Sequence, residues 1–299
     1  MKHITEEDVR ANLKMGPLMD LLEDSFMEYG EGHAESSARD RIFTGSGVLN
    51  SMPASIQKYG IAGSKIYYAN PENSKFVVII FRENDPENYF VIDAGFLGQM
   101  RTAALPGMVS RKILKERKDI DFLLIGSGLQ AETQLEAMAI ALNLEKGSIY
   151  SRSTDHAKKF IEKMEKKLSL DLKIEESRKN ISKYNVINTV TNTKEPIIDH
   201  TNVPNTYHMN LVGANLPNRR EVSGEVMRLS DLVVVEHAEQ AMKESVEIQD
   251  VMGQDKLIEL KAFIREGMPT TERSIFKTMG IGLEDIVAGY MVLKNMDLL

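Results

Sequence analysis

Two hydrophobic rhythms run along the chain, and the place where one gives way to the other divides it. From Pro17 to Tyr29, Leu18, Leu22 and Phe26 recur every four residues with Met19 and Leu21 beside them. That spacing predicts a helix with one buried face, ended by Gly30 and Gly32. Before it, Thr5 with Asp8 three residues on resembles a capping box and predicts a further helix. Residues 40 to 100 change character. Gly60 to Tyr68, Lys75 to Phe81 and Tyr89 to Ile92 read as strands, and the turn-rich Glu83 to Asn88 joins the last two as a hairpin. The first region is therefore expected to be α+β with an antiparallel sheet. Arg101 to Ala104 opens a helix expected to run to about Lys115, in which Pro106 must either mark the start or produce a kink.

From Asp121 strands and helices alternate. The segments 121–125, 147–151 and 171–176 read as strands, separated by helices at 130–142 and 154–168. The short strands Val186 to Val190, His208 to Val212 and Leu232 to Val235 follow. Such alternation predicts a parallel, doubly wound sheet, and Val233-Val234-Val235 suits a strand covered on both faces. Residues 238–266 read as helical. Gly282 to Met296 closes the chain with Leu283, Ile286, Val287, Tyr290, Met291 and Leu293, an apolar stripe that must dock on something.

The hinge of this pattern is Phe122-Leu-Leu-Ile125, then Gly126-Ser-Gly-Leu-Gln-Ala131, then Leu135, Met138, Ala139 and Leu142 at helical spacing. Strand, G-x-G-x-x-A turn and helix in that order form a dinucleotide-binding fingerprint. Gly126 allows the tight turn, Gly128 lets backbone approach a pyrophosphate, and the small Ala131 lets helix pack on strand. The first residues of the helix, Leu129 and Gln130 among them, present unpaired N–H groups to phosphates. An ordinary strand-to-helix turn is the plainer alternative.

Composition narrows the rest. The 299 residues suffice for two domains, and 42% apolar content suffices for real cores. There is no cysteine, which excludes disulfides, cysteine nucleophiles and thiolate metal sites and fits a cytoplasmic protein. No apolar run approaches the ~18 residues of a membrane span, and MKHITEEDVR lacks the apolar core of a signal peptide. Net charge is −7. The lysines of 158–167 alternate with Glu162 and Glu165, which predicts a solvated helix face rather than a nucleic-acid patch. No metal is expected, because the histidines lack ligand spacing. Nor is there a G-x-S-x-G hydrolase elbow.

Several separated segments carry a resemblance: Gly63-Ser-Lys65, Gln99-Met-Arg101-Thr-Ala-Ala104, Gly126 to Ala131, His208-Met-Asn210-Leu-Val-Gly213-Ala214, Val233-Val-Val-Glu236 and Gly280-Ile-Gly-Leu-Glu-Asp285. In collinear order over roughly residues 41 to 290, they resemble the ornithine cyclodeaminase and mu-crystallin family. That resemblance implies a Rossmann domain (113–279) inserted into an α+β substrate-binding and dimerising domain (1–112 plus 280–299), a homodimer, and NAD(P) as cofactor. It implies an oxidoreductase acting at the α-carbon of a small amino or imino acid, of the amino-acid dehydrogenase or ketimine reductase type. A true ornithine cyclodeaminase with bound NAD, and a non-catalytic mu-crystallin-like binding protein, stay open beside it.

The resemblance also assigns residues. Arg41, Lys65 and Arg101 fall where the family clamps the substrate carboxylate, a task for which an arginine fork is suited. Each could otherwise be a surface cation. Glu236 stands where the family usually has an aspartate near the substrate nitrogen, and it keeps the carboxylate with one more methylene. Its plainer role is a helix-start carboxylate. Lys65 and Glu236 are the catalytic candidates. Asn50, two residues before Met52-Pro53, stands where cyclodeaminases carry a glutamate for the distal amine of ornithine. Asparagine lacks that charge, which favours a substrate without a second ammonium, and Met52 is read as wall. Thr189 and Thr191 fall where the family contacts its cofactor, although strand propensity also explains a threonine. Cofactor choice rests on Ser151-Arg152-Ser153, where an NAD enzyme commonly has an acid. Arg152 with two hydroxyls could hold a 2′-phosphate, so NADP(H) is preferred to NAD(H). An Arg152 that only stacks on adenine would suit either.

Overall fold

The structure, a computed structural model, describes residues 1–267 and 271–299. It divides into two units: Met1–Leu105 with Ile264–Glu266 and Gly280–Leu299, and Pro106–Phe263 with Gly267–Met279. The first unit opens with strand β1 (Lys2–Ile4), helix α1 (Glu6–Asn12) and helix α2 (Met15–Gly30). The capping box at Thr5 and Asp8 is formed: Asp8 N donates to Thr5 Oγ1 and Thr5 N to Asp8 Oδ2. Strands β2 (Ala34–Ser36), β3 (Asp40–Phe43), β4 (Val48–Ile56), β5 (Ile61–Ala69), β6 (Ser74–Arg82) and β7 (Asp85–Asp93) follow. They form one sheet in the order β1-β7-β6-β5-β4-β2, with β3 also on β4.

Three departures from the sequence reading have local causes. β4 is absent from that reading, and Pro53 lies in its middle. β3 covers β4 only as far as Ser51 and β2 only from Ala54, so Pro53 stands in the break between them, where a missing N–H costs no ladder bond on that edge. The sheet is mixed rather than antiparallel, because β1 pairs in parallel with β7. The hairpin turn shrinks to Glu83 and Asn84, and Asp85 to Asn88 already belong to β7.

Helix α3 (Gly95–Ile113) begins six residues before Arg101 and passes unbroken through Pro106. Its start is closed from afar: the Glu6 carboxylate accepts from Gly95 N at 2.6 Å and Phe96 N at 3.0 Å. A proline in a helix interior costs ~3 kcal/mol. Leu105, Met108 and Val109 around it are fully buried, and at ~2 kcal/mol for each large apolar side chain that burial outweighs the proline.

The second unit continues with β8 (Phe122–Ile125), α4 (Leu129–Leu142), β9 (Lys146–Tyr150), α5 (Thr154–Leu168), β10 (Asp171–Ile174), β11 (Val186–Thr189) and β12 (Tyr207–Leu211). Then come α6 (Gly224–Leu229), β13 (Leu232–Val235), α7 (Ala238–Glu244), α8 (Val246–Gln249), β14 (Leu257–Glu259), α9 (Leu260–Glu266) and β15 (Arg273–Lys277). Among the described residues its strands form an all-parallel sheet ordered β10-β9-β8-β11-β12-β15-β13-β14. Val233 to Val235 are fully buried, as a strand covered on both faces requires. The stretch 238–266, read as helical, is α7, α8 and α9 with the edge strand β14 between the last two. Ser245 ends α7 and caps α8 by accepting from Ile248 N, which divides the apolar rhythm.

The chain closes with α10 (Gly282–Asn295), which returns to the first unit and packs on β4, β5 and β6. Leu283, Ile286, Val287, Val292 and Leu293 are fully buried there. Among the described residues no helix is long and apolar enough to cross a membrane.

Candidate active site

In the parallel sheet the chain runs from β8 outward through β9 to β10, then crosses back to place β11 on the other flank of β8. The crevice at the carboxyl ends of β8, β9 and β11 is thus a topological switch point, the place where open α/β sheets bind ligands. A cavity of about 680 Å³ lies there, lined by Gly126 to Gly128, Tyr150 to Ser153, Val190 to Thr193, His156, Arg178, Glu195 and others. The three loops supply what a dinucleotide needs. Gly126 adopts φ +122°, and a Cβ on it would lie 2.6 Å from Val190 O. A Cβ on Gly128 would meet no atom within 4 Å, so a ligand can come close to the main chain at that point. Gly128 is the N-cap of α4 and supplies no side-chain acceptor, which leaves the helix's first N–H groups for an anion.

Of the cofactor candidates, the cavity brings together Gly126, Gly128, Ser151, Arg152, Ser153 and Thr191. Ser127 Oγ and Ser151 Oγ, 2.9 Å apart, join two of the loops. Leu129, Gln130, Ala131 and Thr189 are not among its lining residues. Leu129 is exposed on the first turn of α4, and Ala131 is buried as packing. Thr189 is fully buried and donates to Asn210 O at 3.4 Å. His156 and Arg178 line the cavity without having been anticipated. Both lie in stretches of ordinary surface composition, and only the fold brings them to this crevice.

The first unit gathers a second constellation. Lys65 lies on β5, paired with Met52 of β4 and on the sheet face that α10 covers. Its Nζ donates to Asp285 Oδ1 at 2.9 Å. Arg101, on α3, donates through Nε to the same oxygen at 3.0 Å and through a terminal nitrogen to Glu284 Oε2 at 2.7 Å. Glu284 also accepts from Ile281 N at 2.9 Å, closing the start of α10. All four side chains are buried. Burial lowers the Lys65 pKa to about 8, with Arg101 adding to the effect and Asp285 opposing it; Arg39 is a further cation that Lys65 senses. Tyr67 and Phe76 stand near the ammonium, their ring centres 5.9 and 5.5 Å from Nζ. Arg41 sits on β3 opposite the buried, neutral Asn50 of β4. Two cations, Lys65 and Arg101, thus converge on one buried carboxylate oxygen, and Arg39 donates to Gly280 O at 3.3 Å, two residues before the helix that carries Asp285 begins.

Glu236 follows β13 directly and is fully buried. Met279 N donates to both its oxygens, at 3.1 and 3.0 Å, and the Thr278 hydroxyl donates to Oε1, so the segment after β15 sets its orientation.

A model of the ornithine cyclodeaminase/mu-crystallin family matches residues 2–297. The chain belongs to that family. It is 26% identical to an alanine dehydrogenase of Archaeoglobus fulgidus over 308 aligned positions, covering 98% of this chain and 94% of that one. It is 28% identical to the ketimine reductase mu-crystallin of Mus musculus, over 72% of this chain and 67% of that one. Among solved structures, Δ1-pyrroline-2-carboxylate reductase of Thermococcus litoralis, in complex with NADH and L-proline, superposes with a TM-score of 0.88 at 25% identity, covering 99% and 97% of the two chains. As a member of the cyclodeaminase/mu-crystallin family, the protein is an NAD(P)-dependent enzyme of amino or imino acids. Glu284 and Asp285, in the segment that carried the resemblance, are the partners of Lys65 and Arg101 that the sequence reading passed over. Two adjacent acids opening an otherwise apolar helix were their only signal.

Proposed function

We propose that the chain is a net oxidoreductase, an amino-acid dehydrogenase or ketimine reductase that uses its dinucleotide as a reagent. Its substrate is small, with one carboxylate and no second ammonium. The observation that supports this reading best is the buried cluster of the first unit, where Lys65 and Arg101 stand together and the sheet that carries Lys65 also carries the buried, neutral Asn50. Lys65 and Arg101 hold the substrate carboxylate. Arg39, which Lys65 senses electrostatically, takes the third place in preference to Arg41. The bound dinucleotide supplies or accepts a hydride at the substrate's α-carbon. Glu236 handles the proton at the substrate nitrogen, its carboxylate held by Met279 N and the Thr278 hydroxyl.

NADP(H) is the preferred dinucleotide in this reading. Arg152, Ser151 and Ser153 line the cavity with Arg178 and His156, while Asp155, the first acid after β9, is not among the lining residues. A homodimer fits the face of the first sheet opposite α10, where Ile42, Leu49 and Phe81 are exposed. A cytoplasmic setting suits a sequence without cysteine.

The test is nicotinamide absorbance with NADPH or NADH, cyclic imines, and 2-oxo acids plus amine. The reading predicts net consumption, faster with NADPH, and an Arg152→Ala variant in which that advantage shrinks about tenfold or more. Conversion of ornithine to proline with no net absorbance change would instead establish a cyclodeaminase. Tight dinucleotide binding without turnover of any substrate would establish a binding protein.

A further inference from the structure

Thr191 lines the cavity, and its N–H and hydroxyl converge on one buried oxygen, Glu221 Oε1, at 2.7 and 2.8 Å. The other oxygen of that carboxylate accepts from Gly213 N at 2.8 Å. Gly213 leaves no room for a larger residue, because a Cβ there would lie 2.0 Å from Thr191 O and 2.3 Å from Thr191 N. Glu221 is held in turn. Its own N–H and that of Val222 donate to Glu247 Oε1 at 2.6 and 3.2 Å. Glu247 Oε2 faces Lys277 Nζ at 3.2 Å, and that ammonium donates to Ala214 O at 2.7 Å. Glu221, Glu247 and Lys277 are all fully buried, and none is among the lining residues.

Two carboxylates sharing one buried ammonium is a costly way to fill a core, and apolar side chains of similar volume are often as stable or more so. What an apolar cluster cannot supply is a pair of acceptor oxygens for donors at the ends of two strands, β11 and β12. Both oxygens of Glu221 receive main-chain N–H groups, so the arrangement needs the ionised carboxylate. A glutamine would turn its NH2 toward one of those donors.

We propose that Glu221 is a positioning residue for dinucleotide binding, and that it fixes the Thr191 wall of the cavity and consumes the donor of the Thr191 hydroxyl. Thr191 Oγ1 then has only lone pairs to offer. It pairs with a donor of the dinucleotide, a carboxamide NH2 or a ribose hydroxyl, and not with a phosphate oxygen. This rests on the reading of the cavity as the dinucleotide site. It also predicts a pH effect. Burial pushes the Glu221 carboxyl above its ordinary range, Glu247 on α8 pushes the same way, and Lys277 on β15 opposes both. Protonation removes an acceptor from the wall, so affinity falls as pH drops through that raised value.

The experiment measures Kd for NADH by nicotinamide fluorescence from about pH 5 to 9, on the wild-type protein, Glu221→Gln and Thr191→Val. NADH is used because it lacks the titrating 2′-phosphate. Glu221→Gln is expected to weaken binding about tenfold at the alkaline end, the cost of one unpaired buried N–H. It should also lose the acid-side decline of the wild type. Thr191→Val keeps its N–H, so it should weaken less and keep the decline. A Glu221→Gln protein with wild-type affinity and an unchanged pH profile would overturn the proposal. Should that variant not fold, a flat wild-type profile with Thr191→Val at full affinity would overturn it equally. No binding by the wild type at any pH would sink the dinucleotide reading, and this inference with it.

Discussion

Lys65→Met separates what the buried ammonium does for catalysis from what it costs the fold. A pKa near 8 in place of 10.5 means that charging Lys65 costs the folded state about 3 kcal/mol more than it costs the unfolded chain. Methionine has a similar shape and needs no hydration, and Asp285 keeps its bond from Arg101 Nε. Loss of Lys65 removes that charging cost but leaves Arg101 to serve two buried carboxylates, so the opposing effects should limit the loss of unfolding free energy at pH 7 to less than ~3 kcal/mol. The substrate carboxylate, in contrast, loses a buried charge-assisted hydrogen bond worth about 2–5 kcal/mol. That corresponds to a fall in kcat/KM of roughly 30-fold to several thousandfold, carried largely by KM. The sign of the pH dependence supplies a second check. Between about pH 8 and 10.5 the folded wild type binds fewer protons at Lys65 than the unfolded chain does, so this residue makes stability rise with pH across that window. Lys65→Met should lose that rise. Urea unfolding at several pH values and steady-state kinetics measure both. A variant that loses more than ~3 kcal/mol of stability, or one that keeps kcat/KM within about threefold, would refute the reasoning.

Two glycines in one loop should fail differently. Gly126→Ala puts a methyl against Val190 O at an unfavourable φ and should cost about 3 kcal/mol of stability. Gly128→Ala meets no neighbour, so it should melt like the wild type and weaken dinucleotide binding about tenfold in a fluorescence titration. His208, buried between Ser110 and Ser274, has its pKa lowered to about 3 by burial. Between about pH 6.5 and 3 the unfolded chain holds the extra proton, so this residue's share of stability is lost as pH falls. Lowering the pH from 6.5 to 4.5 should cost the wild type about 2–3 kcal/mol more than His208→Gln in urea titrations. Equal losses in both proteins would remove the assignment.

Much of the second unit is legible in the sequence, because its strands are short, apolar on both faces and separated by helices with clear rhythm. Phe122 to Ile125 and Val233 to Val235 are buried throughout, as their composition demands. What escapes the sequence is set by contacts at long range. The start of α3 depends on Glu6, about ninety residues earlier, and no local signal at Gly95 could disclose it. Pro53 argues against a strand until β2 and β3 are seen to leave a break opposite it. The run 238–266 keeps a helical rhythm across Ser245 while the chain turns aside to add β14. At the site, family resemblance points to Lys65 and Arg101. Their shared partner Asp285 lies 220 and 184 positions away, beyond any spacing argument. Arg39 lies just before β3 and Arg41 within it, so no periodicity in the sequence chooses between them.

The return of α10 to the first sheet has a consequence for synthesis. On the ribosome β7 is complete at Asp93, but the helix that covers the sheet starts at Gly282. At ~5–20 residues per second the sheet waits roughly 10–40 s with Met52, Val78 and Ile80 bare, while the parallel unit is made and can fold first. Asp285 arrives in the same segment as α10, so a nascent chain holds Lys65 and Arg101 without their shared counter-ion until that segment emerges. The interval is a window for chaperone capture, and the Lys65–Arg101–Asp285 cluster forms only after the parallel unit has been made.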